Sequence, residues 1–306
     1  MRIVRRILFT LLGLLVALTL ASVLYNASTA DASVPVTELW HGKTIDGTAY
    51  RRWGTTGTPV VLIGGFLEPS WVWKEVGPLL AQGHRVYALD LDGFGYTERR
   101  GPWTLAHWGD QVEAFCKALG LKKPTVVGHS LGAAVAAEMA RRGLASQIVL
   151  VDGDALRGGG PPRLLTTALV KSPFFTTIYR FLLRSPWAVK RLVENAYGPN
   201  HPPIDSAEIR RWTDPFRAKD ARRALAGMAA NGIAGLTRQD LRRLRVPALV
   251  VWGASDNVDS VASGRQSARD LRARFVLVQG AGHLSMLAAA NAVAGAIASP
   301  RSAARP

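Results

Sequence analysis

A serine hydroxyl is a weak nucleophile. It becomes useful when a histidine takes its proton, an acid orients that histidine, and fixed N–H donors receive the oxyanion. This 306-residue chain supplies those types in a workable order. Ser130 lies in Gly128-His129-Ser130-Leu131-Gly132, directly after the apolar run Thr125-Val126-Val127 and before the helical pattern "LGAAVAAEMARRG". A strand before and a helix after give G-x-S-x-G its meaning: the sharp turn between them presents the hydroxyl and leaves the Leu131 amide at a helix N-terminus. Asp256 closes the run "VVWGASD", and His283 closes "VLVQGAGH". A carboxylate at Asp256 would hold the His283 imidazole in the correct tautomer and stabilise its protonated form. Asp154, in "QIVLVDGDA" beside Asp152, is the reserve candidate for the acid, and Asp259 reads as an N-cap. The second oxyanion donor is expected in the loop "LIGGFLEP", as the backbone amide of Phe66, with Gly64 and Gly65 letting the chain turn closely.

Each residue also has a plainer reading. Ser130 alone fits a small-residue strand-to-helix connection, a loop aspartate often caps a helix, and a lone histidine is often merely satisfied or exposed. Their ordered combination at strand ends favours catalysis. The remaining histidines add little: His129 is expected to pack into neighbouring structure, and His41, His84, His107 and His201 have no ligand spacing. With no H-E-x-x-H, no cysteine cluster and no G-x-G-x-x-G, neither a metal nor another cofactor is expected. The single cysteine, Cys116, excludes an intramolecular disulfide and reads as a small buried hydrophobe in "HWGDQVEAFCKALG".

Positioning these residues requires strands that end together. Buried-strand patterns recur at "PVVLIGG", "HRVYALDLDG", "PTVVGHS", "SQIVLVDGDA", "PALVVWGASD" and "RFVLVQGAGH", with helical segments between most of them and one last helix in "LSMLAAANAVAGAIA". Asp46-Gly47 marks a hairpin nearer the N-terminus. The alternation predicts an α/β fold with a mostly parallel central sheet covered by helices on both faces. Chemistry in such a sheet gathers at the carboxyl ends of the strands. The rhythm breaks at Leu156, and an amphipathic helical interval predicts an inserted cap. The expected organisation is an N-terminal signal segment and linker over 1–32, core over 33–155, helical cap over 156–243, core again over 244–299 and a tail over 300–306.

The chain from about Val36 to Ala298 resembles capped, single-domain α/β-hydrolase-fold proteins. The resemblance rests on five ordered motifs: "GGF" at the oxyanion loop, "DLDGFGYTE" after the next strand, "GHSLG" at the nucleophile, "WGASD" at the acid and "GAGH" at the histidine. It implies the α/β-hydrolase fold and a serine hydrolase, esterase-like or lipase-like. Two departures matter. Gly64-Gly65 stands where many relatives have His-Gly, and Ser130 stands where dehalogenases and epoxide hydrolases of this fold carry an aspartate, which favours acyl transfer over an alkyl-enzyme.

At the N-terminus, Arg2, Arg5 and Arg6 precede 19 uncharged residues, Ile7 to Tyr25. This segment should enter a membrane with its basic flank cytoplasmic and the body exported. Its length favours a retained signal anchor, whereas "STA" and "ADA", between Ser28 and Ala32, suit cleavage of a signal peptide and secretion. Net charge is +16, or +13 without those three arginines. The arginines are dispersed through helical segments such as "EIRRW" and "DLRRLR", so no nucleic-acid partner is expected and attraction to an anionic membrane would be a by-product. Oligomeric state is not legible.

The expected reaction is cleavage of a carboxylic ester or related acyl bond of a hydrophobic small molecule through an acyl-enzyme. C–C bond hydrolysis, acyl transfer to an acceptor other than water, and a noncatalytic binding protein retaining the fold remain alternatives.

Overall fold

Strands buried on both faces need apolar side chains at successive positions, and β-branched residues suit the pleated surface. Val60 to Ile63, Val126-Val127, Ile148 to Val151 and Leu249 to Trp252 meet both conditions and are buried. In the computed structural model, which describes residues 2–30, 33–158, 163–232 and 235–299, they lie within the centre of an eight-stranded sheet. The strands are β1 (Lys43–Ile45), β2 (Thr48–Trp53), β3 (Thr58–Ile63), β4 (His84–Leu89), β5 (Thr125–His129), β6 (Gln147–Val151), β7 (Ala248–Gly253) and β8 (Arg274–Val278). Their spatial order is β1-β2-β4-β3-β5-β6-β7-β8. β2 pairs antiparallel with both β1 and β4, and all other pairs are parallel. Asp46 and Gly47 both take positive φ (47° and 78°), as a tight two-residue hairpin requires.

Alternation along each strand divides the core. Val61, Ile63, Val126, Ile148 and Leu150 point to one face, against Trp108 and Phe115 of the helix Leu105–Ala118 and Ala133 of the helix Leu131–Arg141. Val60, Leu62, Val127 and Val149 point to the other, against Trp73, Val293 and Ile297. Cys116 lies in the first cluster, where burial pushes its thiol up to about 12. It acts there as a hydrophobe.

The strand order reverses around β3, which has β4 on one side and β5 on the other. A crevice opens at such a switch point, and the loops after β3 and β5, which carry Phe66 and Ser130, border it.

Between β6 and β7 the described residues form the helices Arg163–Lys171, Pro173–Leu183, Pro186–Tyr197, Ser206–Thr213, Ala221–Asn231 and Arg238–Arg243. Pro173 and Pro186 each begin a helix, where the missing N–H costs nothing. These helices form the inserted cap of the fold. The N-terminal apolar segment is one helix, Arg2–Ser28, long and apolar enough to cross a membrane, with 6% of its apolar window buried.

Two details depart from expectation. The expected single C-terminal helix is two, Ser285–Ala288 and Ala290–Ala298, broken at Ala289 (φ −143°, ψ 50°). Ser285 is tied to Asp152 at the sheet edge, so the chain bends before it can lay Val293 and Ile297 on the core. Ser260, not Asp259, caps the helix Val261–Leu271, accepting from the Ser263 amide at 3.1 Å. The Asp259 amide donates instead to Asp256 at 3.0 Å. Of the sequence features singled out, Asp31 and Ala32 and the tail 300–306 lie outside the described residues.

Candidate active site

Ser130 follows β5 directly and precedes the helix Leu131–Arg141. Its backbone has φ 48° and ψ −117°, a conformation that L-residues rarely adopt. The turn closes so tightly that a Cβ at Gly128 would sit 2.0 Å from the Gly132 carbonyl oxygen, so this position demands glycine. The Ser130 amide donates to Val151 O at 2.9 Å, which fixes the elbow to the neighbouring strand β6.

Asp256 and His283 meet. His283 Nδ1 lies 2.9 Å from Asp256 Oδ2, with the Asp256 side chain fully buried and that of His283 8% exposed. Asp256 Oδ1 accepts the amides of Val258 (2.9 Å) and Asp259 (3.0 Å), so both carboxylate oxygens are engaged and its orientation is set. The reserve candidate Asp154 is elsewhere occupied: its Oδ1 accepts the Leu156 amide at 2.9 Å. Among the described residues, Ser130 Oγ makes no hydrogen bond to His283. Nucleophile–base contacts of this kind often close only around substrate.

The loop after β3 presses on Ser130. A Cβ at Gly65 would come within 2.9 Å of Ser130 Cβ. Among the described residues neither the Phe66 nor the Leu131 amide has a protein acceptor, so both are available to an oxygen at the serine. The Phe66 ring is half-exposed and stacks edge-on against Phe94 at 5.5 Å. Leu67 packs on the cap cluster of Tyr179, Leu183, Phe216 and Ala221.

Behind the elbow lies a buried ionic network that the sequence did not disclose. His129 Nδ1 is 2.8 Å from Glu68 Oε2, and His129 Nε2 is 2.7 Å from the His283 carbonyl oxygen. A carbonyl only accepts, and an ionised carboxylate only accepts, so both ring nitrogens carry protons and His129 is an imidazolium. Burial alone would lower its pKa, but the charge and hydrogen bond of Glu68, with Asp152 3.9 Å away, raise it to about 9. The same Glu68 oxygen accepts the Gly65 amide at 2.6 Å, so Glu68 pins the loop that bears Phe66. Asp152 accepts the Gly253 amide (2.7 Å), the Ser285 amide (3.2 Å) and the Ser285 hydroxyl (2.5 Å). It therefore clamps the segments carrying Asp256 and His283. Burial raises the Asp152 pKa to about 6 against the pull of His129, Ser285 and Gly253.

One expected result follows. Glu68→Ala leaves a buried, unpaired imidazole and should cost about 3–5 kcal/mol of stability near neutral pH. Because the folded pKa of His129 is raised above its ordinary 6.5, the stabilisation is complete below about 6.5 and is lost as pH rises through about 9. The gap in unfolding free energy between wild type and Glu68→Ala should therefore shrink from pH 6 to pH 10, read by chemical denaturation of the detergent-solubilised full chain.

One other motif proves to be scaffold. In "DLDGFGYTE", Asp92 accepts from Trp103 Nε1 at 2.8 Å and pairs with His107 Nε2 at 2.7 Å, while Asp90 accepts the Tyr96 amide at 2.6 Å. Among the described residues, no group of three or more His, Cys, Asp or Glu side chains is gathered as a metal site.

Residues 58–290 match the family described as alpha/beta hydrolase fold. The chain belongs to that family. Among curated relatives it is similar to the uncharacterised hydrolase YugF of Bacillus subtilis, with 24% identity over 235 residues, 74% of this chain and 85% of that one. Among solved structures it is similar to a serine hydrolase involved in carbazole degradation, with TM-score 0.66, 25% identity, and coverage of 82% of this chain and 92% of that one. It is also similar to a structure described as a membrane phospholipase A, with TM-score 0.67, 22% identity, and coverage of 95% and 96% of the two chains. At that identity the last likeness concerns the fold.

Proposed function

We propose that this α/β-hydrolase-fold protein is a membrane-anchored serine hydrolase that cleaves a carboxylic ester with a hydrophobic acyl group. The observation that carries the reading is the 2.9 Å contact between the buried Asp256 carboxylate and His283 Nδ1, on the strand-end surface that also holds the strained Ser130. With Nδ1–H donated to Asp256, Nε2 of His283 is free to act as base. Ser130 Oγ attacks the ester carbonyl as its proton passes to His283 Nε2, and the resulting oxyanion accepts from the Phe66 and Leu131 amides. Collapse expels the alcohol, which takes the proton from His283 and leaves the acyl group on Ser130. Water, deprotonated by His283, then attacks the acyl-enzyme, the carboxylic acid leaves, and Ser130 regains its proton.

Support for a hydrophobic acyl group comes from the half-exposed Phe66 beside Ser130 and from the apolar cap cluster touching Leu67. Support for the anchor comes from the helix Arg2–Ser28, in which the 19 residues from Ile7 to Tyr25 span about 28 Å, close to the thickness of a bilayer core. The test is hydrolysis of p-nitrophenyl esters of increasing acyl length by the detergent-solubilised full chain. kcat/KM should rise about three- to fourfold for each added methylene that the site buries. An absence of hydrolysis, or a steady fall from acetate upward, would contradict the proposal.

A further inference from the structure

An exported hydrolase tethered by one helix would be free to tumble above the membrane unless its body also touched the bilayer. The helix Pro173–Leu183 is fastened to the end of the apolar span: Ser22 Oγ lies 2.5 Å from Thr177 Oγ1, Asn26 Nδ2 donates to Pro173 O at 2.9 Å, and Arg180 donates to the Asn26 carbonyl. Because the apolar stretch ends at Tyr25 and gives way to Asn26, these contacts hold the cap helix at the depth of the bilayer–water interface. Large apolar side chains are bare on this helix and its neighbours: Leu164 is 80% exposed, Trp187 64%, Phe181 46% and Ile178 43%. Phe181 and Trp187 lie with ring centroids 6.3 Å apart. Aromatic and aliphatic side chains left bare beside a membrane helix match an interfacial surface.

A second observation lies alongside. A cavity of about 230 Å³ opens between Ser33, in the linker after the membrane helix, and the cap. Among the described residues its wall carries Arg180, Arg184, Arg217, Arg222 and Arg223 against the single carboxylate of Asp220. Asp220 pairs with Arg223 at 3.1 Å, and Arg217 lies 3.7 Å from Asp214. Arg222 pairs with no carboxylate among the described residues. Arginines that are scattered in sequence are thus concentrated beside a contact between the body and the anchor. Guanidinium groups match phosphate oxygens in geometry and charge.

We propose that the cap docks on an anionic phospholipid bilayer, with Ile178, Phe181 and Trp187 entering the interface and the arginine-lined cavity receiving a lipid headgroup phosphate. The proposal rests on reading Arg2–Ser28 as a retained anchor, and its test is independent of catalysis. The full chain is placed in nanodiscs of phosphatidylcholine alone or of an equal mixture with phosphatidylglycerol, and amide hydrogen exchange is followed over 173–192 and 217–225. Exchange in both segments should be slower in the anionic discs. Arg217→Glu with Arg222→Glu should abolish that difference, since each arginine near an anionic surface strengthens attachment about fivefold and the pair about thirtyfold. Phe181→Ser with Trp187→Ser should remove protection over 173–192 while keeping the lipid dependence at 217–225. Equal exchange in the two discs, or a difference that survives the arginine changes, would overturn the proposal. So would inorganic phosphate added to phosphatidylcholine discs reproducing the whole effect, because the cavity would then be a site for free phosphate. Failure of the chain to enter discs at all would instead remove the anchor on which docking depends.

Discussion

Ser130→Gly is expected to yield a protein that is inactive and more stable. Loss of the hydroxyl should reduce ester hydrolysis by roughly 10⁴–10⁶-fold, because a histidine with no nucleophile to deprotonate leaves only binding and the oxyanion donors. The stability gain has a separate cause. Ser130 holds φ 48° and ψ −117°, and a Cβ in such a region costs of order 1–3 kcal/mol. Glycine escapes that cost, although it loses about 0.5–1 kcal/mol to its greater freedom when unfolded. Alanine keeps the Cβ and the strain. The glycine variant should therefore melt a few degrees above the alanine variant, while both are equally inactive. Equal melting temperatures would mean that the elbow stores no strain attributable to the side chain.

Asp256→Asn is expected to lower kcat by about 10⁴-fold with little change in KM, because the amide favours the wrong imidazole tautomer and cannot stabilise the imidazolium. Asp154→Asn should leave both parameters nearly unchanged. The distinction follows from partners: Asp256 reaches His283 at 2.9 Å, whereas Asp154 closes its own turn onto the Leu156 amide. Substantial activity in Asp256→Asn together with loss in Asp154→Asn would transfer the acid role to Asp154.

What could be read from the sequence was whatever has a local grammar. A run of β-branched residues, a G-x-S-x-G and a small-residue helix lie within 17 residues of one another, from Thr125 to Arg141, so the elbow around Ser130 was legible. Asp256 and His283 were legible because each lies in the loop just after a strand, and strand ends in a parallel sheet meet on one edge. Glu68 was not, since its partner His129 lies 61 residues away and the acid's hold on the Gly65 amide appears only once the loop has turned. Asp152 directly follows β6, but its bond to Ser285 crosses 133 residues and carries no sequence signature. The arginines illustrate the same limit on the surface. Read in sequence they are dispersed over helices, and the fold brings Arg180, Arg184 and Arg217 to one cavity beside the membrane helix. The misassigned cap, Asp259 for Ser260, reflects competition between neighbouring acceptors that residue type alone does not decide.

The account turns on one covalent event at one residue. Incubating the detergent-solubilised full chain with a fluorophosphonate and reading its intact mass and peptide map tests it most directly. A single adduct on Ser130, absent from Ser130→Gly and strongly slowed in Asp256→Asn, is the predicted result. An adduct elsewhere, or wild type left unmodified while it hydrolyses esters, would contradict the account.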